Sequence, residues 1–135
     1  MPGCIRQSTT LPTSARQLYD MYLSPRAHAA FTGAPVTIGR KPGARFSAFG
    51  GQIFGSILAT VPGRLIVQRW RSTNFAAGDP DSTLILSFTP VSTKSARIDL
   101  VQIDVSDADL AGVRKGWPKY YWRPWRMALL AGKRV

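Results

Sequence analysis

Apolar positions recur along this chain with two spacings, and the switch between them divides it into elements. Residues 4–10 (CIRQSTT) form a mostly polar run with Ile5 as its apolar member, which predicts a first strand. The spacing then changes. Ala15, Leu18, Tyr19 and Tyr22 lie on one face of a helix that opens after Pro12, with Thr13 or Ser14 able to cap it. Ser24 and Pro25 end that helix and start a shorter one through Arg26, His28 and Phe31, stopped by Gly33. From Pro35 onward, Gly and Pro at short intervals predict strands joined by turns, at 36–38, 45–49, 52–60, 64–72, 83–89 and 95–104. Pro62 and Gly63 suit the centre of a type II turn, and residues 76–82 form a polar loop between hairpin arms. Period-two alternation puts Leu84, Leu86 and Phe88 on one face, and Ile98, Leu100 and Gln102 on one face of the next strand.

The last quarter of the chain is the densest in rings. Ser106 to Asp109 reads as the cap of a short helical turn ended by Gly112, and Gly116 is expected to break the chain again. Pro118 fits the first turn of a long final helix, which Pro124 should kink or split. Trp117, Tyr121 and Trp125 fall at i, i+4 and i+8 and give that helix an aromatic stripe. Lys115, Lys119, Arg123 and Arg126 line a neighbouring face. The element order is β-αα-β6-α, an α+β chain with one antiparallel sheet and the helices on one side of it.

Composition narrows the classes. At 135 residues, 44% of them apolar, the chain is long enough for one domain, 1–135, with its own core. A single cysteine, Cys4, excludes an internal disulfide, and a single histidine, His28, excludes multi-histidine metal sites. No metal and no cofactor is expected. No apolar run approaches the length of a membrane span and no leader precedes the first strand, so the expected location is cytoplasmic. The formal net charge is +11, from 13 Arg and five Lys against seven Asp and no Glu. Such a field attracts nucleic acid, anionic lipid or acidic protein. The basic residues are scattered, however, and only the tail is strongly one-signed.

Catalytic patterns are weak. Asp79 and Asp81 sit in a Gly-Pro loop and read as turn residues. No serine lies in a nucleophile-elbow context that could use His28, and Gly50-Gly51 precedes a strand, where a phosphate loop would precede a helix. No catalytic residue is assigned, and an enzyme is not expected.

Several stretches together resemble a known family. TLPTSARQLYDMYLSPRAHAAFTG (10–33) is similar to its opening strand and paired helices. GARFSAFGGQIFGSILATVPGRLIVQRWRSTNF (43–75) is similar to its central meander, with Phe46, Gly55, Pro62 and Trp70-Arg71 in place. STLILSFTPVSTKSARIDLVQIDV (82–105) matches its last hairpin, and Gly116-Trp117 the Gly-Trp before its final helix. The chain thus resembles the Aha-like family, named after the C-terminal domain of the heat-shock protein 90 ATPase activator, within the helix-grip (START-like, SRPBCC) superfamily. That resemblance implies a curved antiparallel sheet wrapped around a long C-terminal helix, enclosing a cavity open at one end.

On this fold, the expected ligand-binding residues are Phe46, Trp70, Leu84, Leu86, Phe88, Leu100 and Gln102 from the sheet, with Ile98 beside them, and Trp117, Tyr121 and Trp125 from the helix. The largely apolar lining suits an aromatic or acyl small molecule held by sequestration. A core simply filled by these rings is the competing reading. The alternative function is a co-chaperone-like interaction module. Its basic stripe of Lys115, Lys119, Arg123 and Arg126 would meet an acidic protein surface. Nucleic acid is not an expected partner. Arg69 and Arg71 flank Trp70 on the outer strand face, solvated or placed at the cavity mouth.

Overall fold

The computed structural model describes residues 2–132; Lys133 and Arg134, which end the basic tail, lie outside them. The elements are β1 (Gly3–Leu11), α1 (Ala15–Leu23), α2 (Pro25–Thr32), β2 (Val36–Thr37), β3 (Arg45–Ala48), β4 (Ile53–Val61), β5 (Leu65–Ser72), β6 (Ser82–Ser92) and β7 (Ser95–Val105). A final helical run follows, made of α3 (Leu110–Gly116), a π-helical segment (Trp117–Trp122) and α4 (Arg123–Leu130). All strand pairs are antiparallel, in one sheet of order β1-β7-β6-β5-β4-β3-β2. The sheet curves around the C-terminal helix in the helix-grip arrangement.

Local chemistry explains the first half. Ser14 accepts from the Gln17 backbone N–H at 3.1 Å and caps α1. Ser24 does the same for α2 through Ala27, with Pro25 in the first turn, and Gly33 ends α2 with φ +80°. Arg64 donates its N–H to the Val61 carbonyl across Pro62-Gly63, where Gly63 has φ +71°. Strand β6 runs to Ser92, past the expected stop at 89. Strand β5 begins opposite Ser87, so beyond Phe88 the ladder continues only to β7, and Pro90 withholds no bond from it.

The C-terminal run differs from its sequence reading. Gly112 does not end it and Gly116 does not break it: Gly116 keeps helical angles, φ −66° and ψ −35°. Pro118 has no N–H for the Arg114 carbonyl four residues earlier, and the Gln7 side-chain amide of β1 donates there at 2.8 Å. The next turn shifts to i→i+5 bonding, seen where Arg123 N–H meets the Pro118 carbonyl. Pro124 therefore falls in the first turn of α4, and Trp122 before it keeps helical angles, φ −63° and ψ −47°. The π register also brings residues five apart onto one face, so Trp122 stacks on Trp117 with centroids 5.5 Å apart and planes at 22°. Trp122 is buried, and its indole N–H donates to Gln7 Oε1 at 2.8 Å. Gln7 thus holds two turns of the helix against β1. Gln7→Ala is expected to lower the unfolding free energy by about 1–2 kcal/mol, since it orphans a carbonyl and an indole N–H; urea denaturation checks this.

Candidate functional site

Strand alternation carries the inner face as expected. Phe46, Leu84, Leu86, Phe88, Ile98, Leu100 and Gln102 are all buried, and they pack as core. None of them lines the cavity. Trp125 is buried elsewhere too: it stacks on Phe31 of α2 at 4.3 Å and its N–H reaches Met21 Sδ at 3.5 Å. The stripe is therefore divided, with Trp125 closing the helix onto α1 and α2. These eight side chains pack in the core beside the cavity and do not line it.

A cavity of about 310 Å³ lies between the β3–β4 turn, β4 and β5 on one side and the start of the helical run on the other. Three expected residues line it: Trp70, Trp117 and Tyr121. Sequence reasoning missed the rest. Phe49 sits in the β3–β4 turn at φ +52°, followed by Gly50 and Gly51 at φ +67° and +84°. That left-handed turn folds the Phe49 ring over the helix, 5.5 Å from Tyr120 and 6.2 Å from Tyr121. Gly112 and Gly116, four residues apart on the helix, bound the cavity without a side chain to fill it. Their spacing was the available signal, and it reads as helix-breaking when met alone. Gln52, Ile53, Ser72 and Asn74 complete the sheet side, with Val113 and Asp109 on the helix side.

The polar groups behind these walls are mostly satisfied. Trp117 Nε1–H donates to Gln102 Oε1 at 2.9 Å, Gln102 Nε2 to Ser82 Oγ at 3.0 Å, and Ser82 to the Trp70 carbonyl at 2.6 Å. This chain fixes the Trp117 ring, 6.3 Å from Trp70 and 4.7 Å from Tyr121. Ser72 Oγ donates to Asp109 Oδ2 at 2.5 Å, which ties the end of β5 to the start of α3. One wall group differs: Trp70 is 5% exposed, and no protein acceptor reaches its indole N–H. The Gln68 side-chain amide nitrogen, two residues earlier on the same strand face, is likewise unpartnered.

Tyr121 is locked from behind. Its O–H donates to His28 Nε2 at 2.9 Å, while His28 Nδ1–H donates to the Tyr22 carbonyl at 2.7 Å. Burial pushes the His28 pKa down to about 4 and the Tyr121 phenol well above its ordinary value. At neutral pH the pair is an uncharged imidazole and a protonated phenol, a hydrogen-bonded support with no ionised group to offer. No group of three or more His, Cys, Asp or Glu side chains among the described residues is placed to hold a metal.

The basic residues take separate paths. Lys115, Lys119 and Arg123 are exposed, but Arg126 donates to Thr9 Oγ1 at 3.0 Å and to the Thr10 carbonyl at 2.7 Å. Arg126 thus anchors the helix to β1 and leaves the expected stripe. Arg69 and Arg71 both pair with Asp81, and Arg71 also donates to the carbonyls of Asp79 and Ala76. They clamp the 76–82 loop and do not line the cavity. No helix among the described residues is long and apolar enough to cross a membrane.

Comparison with known proteins agrees with this architecture. An Activator of 90 kDa heat shock protein ATPase homolog from Dictyostelium discoideum is 27% identical over 106 residues, 78% of this chain and 27% of its own length. The Activator of 90 kDa heat shock protein ATPase homolog 1 of Homo sapiens is 27% identical over 138 residues, all of this chain and 40% of its own. The chain therefore spans well under half the length of these curated relatives. The crystal structure of PFC0360w, an HSP90 activator from Plasmodium falciparum, superposes with a TM-score of 0.82 at 16% identity, covering 98% of this chain and 97% of that one, a likeness of fold. The family model described as Activator of Hsp90 ATPase homolog 1-like protein matches residues 12–124, and the chain belongs to that family, a branch of the SRPBCC superfamily.

Proposed function

We propose that this protein binds a compact, largely apolar aromatic or acyl molecule in the cavity between sheet and helix, and acts by sequestering it. The observation that carries this reading is the cavity itself, about 310 Å³ between sheet and helix, with Phe49, Trp70, Trp117, Tyr120 and Tyr121 among its lining. Rings on both sides and a few polar groups fit the usual make-up of small-molecule sites, and 310 Å³ is at the small end of their range. Burying about 200 Å² of ligand surface contributes about 5 kcal/mol before the entropic cost of association, so screening belongs in the micromolar to millimolar range.

Native mass spectrometry of freshly expressed protein, beside its denatured mass, tests for a co-purified ligand. A thermal-shift panel of aromatic and acyl compounds tests for a weaker one. Gly116→Leu, which places a side chain in the cavity, is expected to abolish the shifts. Gly116→Ala is the folding control: its Cβ would meet Tyr120 at an ordinary 3.6 Å, and it is expected to add about 0.5–1 kcal/mol of stability by helix propensity. An apo mass together with no shift across the panel would remove this reading.

The exposed Lys115, Lys119 and Arg123, in a family of chaperone activators, favour a second reading: contact with an acidic chaperone surface. On that reading, charge reversal at these three positions abolishes stimulation of the heat-shock ATPase, salt weakens it, and Gly116→Leu leaves it intact.

A further inference from the structure

The polar end of the cavity carries a charge opposite to that of the rest of the protein. In a chain of net charge +11, the cavity is lined by no Lys, Arg or His, and its one ionisable acid or base other than tyrosine is Asp109. Among the described residues Asp20, Asp81 and Asp99 all pair with arginines, whereas no ion pair is formed to Asp109. Its Oδ2 accepts from the neutral Ser72 hydroxyl. Its Oδ1 lies where Gly112 leaves room, since a Cβ at 112 would stand 2.6 Å from that oxygen. The two arginines of β5, Arg69 and Arg71, are occupied by the 76–82 loop and do not line the cavity.

Five rings, Phe49, Trp70, Trp117, Tyr120 and Tyr121, line the same cavity as this carboxylate. Aromatic faces attract a cation through the ring quadrupole, most strongly where water is excluded. Tyr120, 47% exposed at the rim, already has Lys119 Nζ 5.2 Å from its ring centroid. We infer that the cavity recognises an organic ammonium ion, its alkylated nitrogen held between aromatic faces and opposite Asp109. This rests on the ligand-binding reading and names the class of ligand. A phosphate or carboxylate ligand would instead meet Asp109 in a lining that holds no Lys, Arg or His.

The test compares benzoylcholine, which has an aromatic ring, an ester oxygen and a quaternary ammonium, with 3,3-dimethylbutyl benzoate, its uncharged isostere. Both are titrated against the full chain by tryptophan fluorescence. Benzoylcholine is expected to bind at least about tenfold more tightly. Asp109→Asn, which keeps an acceptor for Ser72, is expected to weaken benzoylcholine by about tenfold and to leave the isostere within about twofold. If Asp109→Asn does not fold, Tyr120→Leu at the exposed rim keeps apolar bulk and removes a ring face; it should weaken only the cation. Equal or tighter binding of the isostere, or equal losses for both ligands in these variants, overturns the ammonium assignment and leaves the cavity as a neutral binding site. No binding of either compound, together with an apo native mass and a flat thermal-shift panel, removes the ligand-binding reading itself.

Discussion

Lowering the pH from 7 to 4 is expected to remove about 3 kcal/mol of stability through one side chain, His28. The imidazole is 0% exposed and surrounded by the rings of Tyr22, Phe31, Phe46 and Tyr121, none of them charged at these pH values. Its Nε2 is an acceptor for Tyr121, so protonation there sets a donor against a donor. The folded pKa is about 4 and the ordinary value 6.5, which means that the unfolded chain binds the proton first. Stability contributed by neutral His28 is therefore fully present above pH 6.5, falls as pH drops from there to about 4, and is constant below. The slope in that window approaches about 1.4 kcal/mol per pH unit. Urea denaturation of the natural chain and of His28→Gln at several pH values isolates this contribution, because the aspartates titrate in both. Parallel pH profiles for the two proteins would show that His28 does not carry it. The acid transition also bears on the site, because His28 holds the Tyr121 wall in place.

Gly55→Ala should destabilise the domain by about 3 kcal/mol or more. Gly55 of β4 pairs with Phe46 on one side and Trp70 on the other. A Cβ there would fall 1.8 Å from the Arg69 carbonyl oxygen and 2.6 Å from its carbon. Both atoms are backbone, so no rotamer change relieves the overlap, and β4 must move away from β5 beside Trp70. Loss of ligand binding is expected to accompany the loss of stability. Gly78→Ala is the control: nothing lies within 4 Å of its Cβ, and a change within about 0.5 kcal/mol is expected. Equal unfolding midpoints for the two variants in thermal or urea melts would contradict the steric argument.

Much of the architecture can be read from short stretches, because the interactions that set it are short-range. Ser14 and Ser24 cap their helices with bonds three residues away, Gly33 supplies a left-handed C-cap, and Pro62-Gly63 makes its turn with Val61 and Arg64. The C-terminal run was misread for the opposite reason. Gly116 and Pro118 are helix-breaking by local propensity, and the Arg114 carbonyl that Pro118 leaves without an N–H is met by Gln7, 107 residues before Arg114. The same contact, with the π register it accompanies, buries Trp122.

The candidate site divides along the same line. Period-two alternation and the i, i+4 stripe are properties of single elements, and each dictates which of its own side chains turn inward; Leu86, Leu100, Trp70 and Trp117 were legible on that basis. Whether inward-facing residues fill the space or leave a void is a difference between volumes contributed by elements far apart in the chain. Only the tertiary structure sets Gly112 and Gly116 across from Trp70 and Ser72, swings Phe49 over the helix, and brings Asp109 into one cavity with five aromatic rings and, among the described residues, no ion-pair partner.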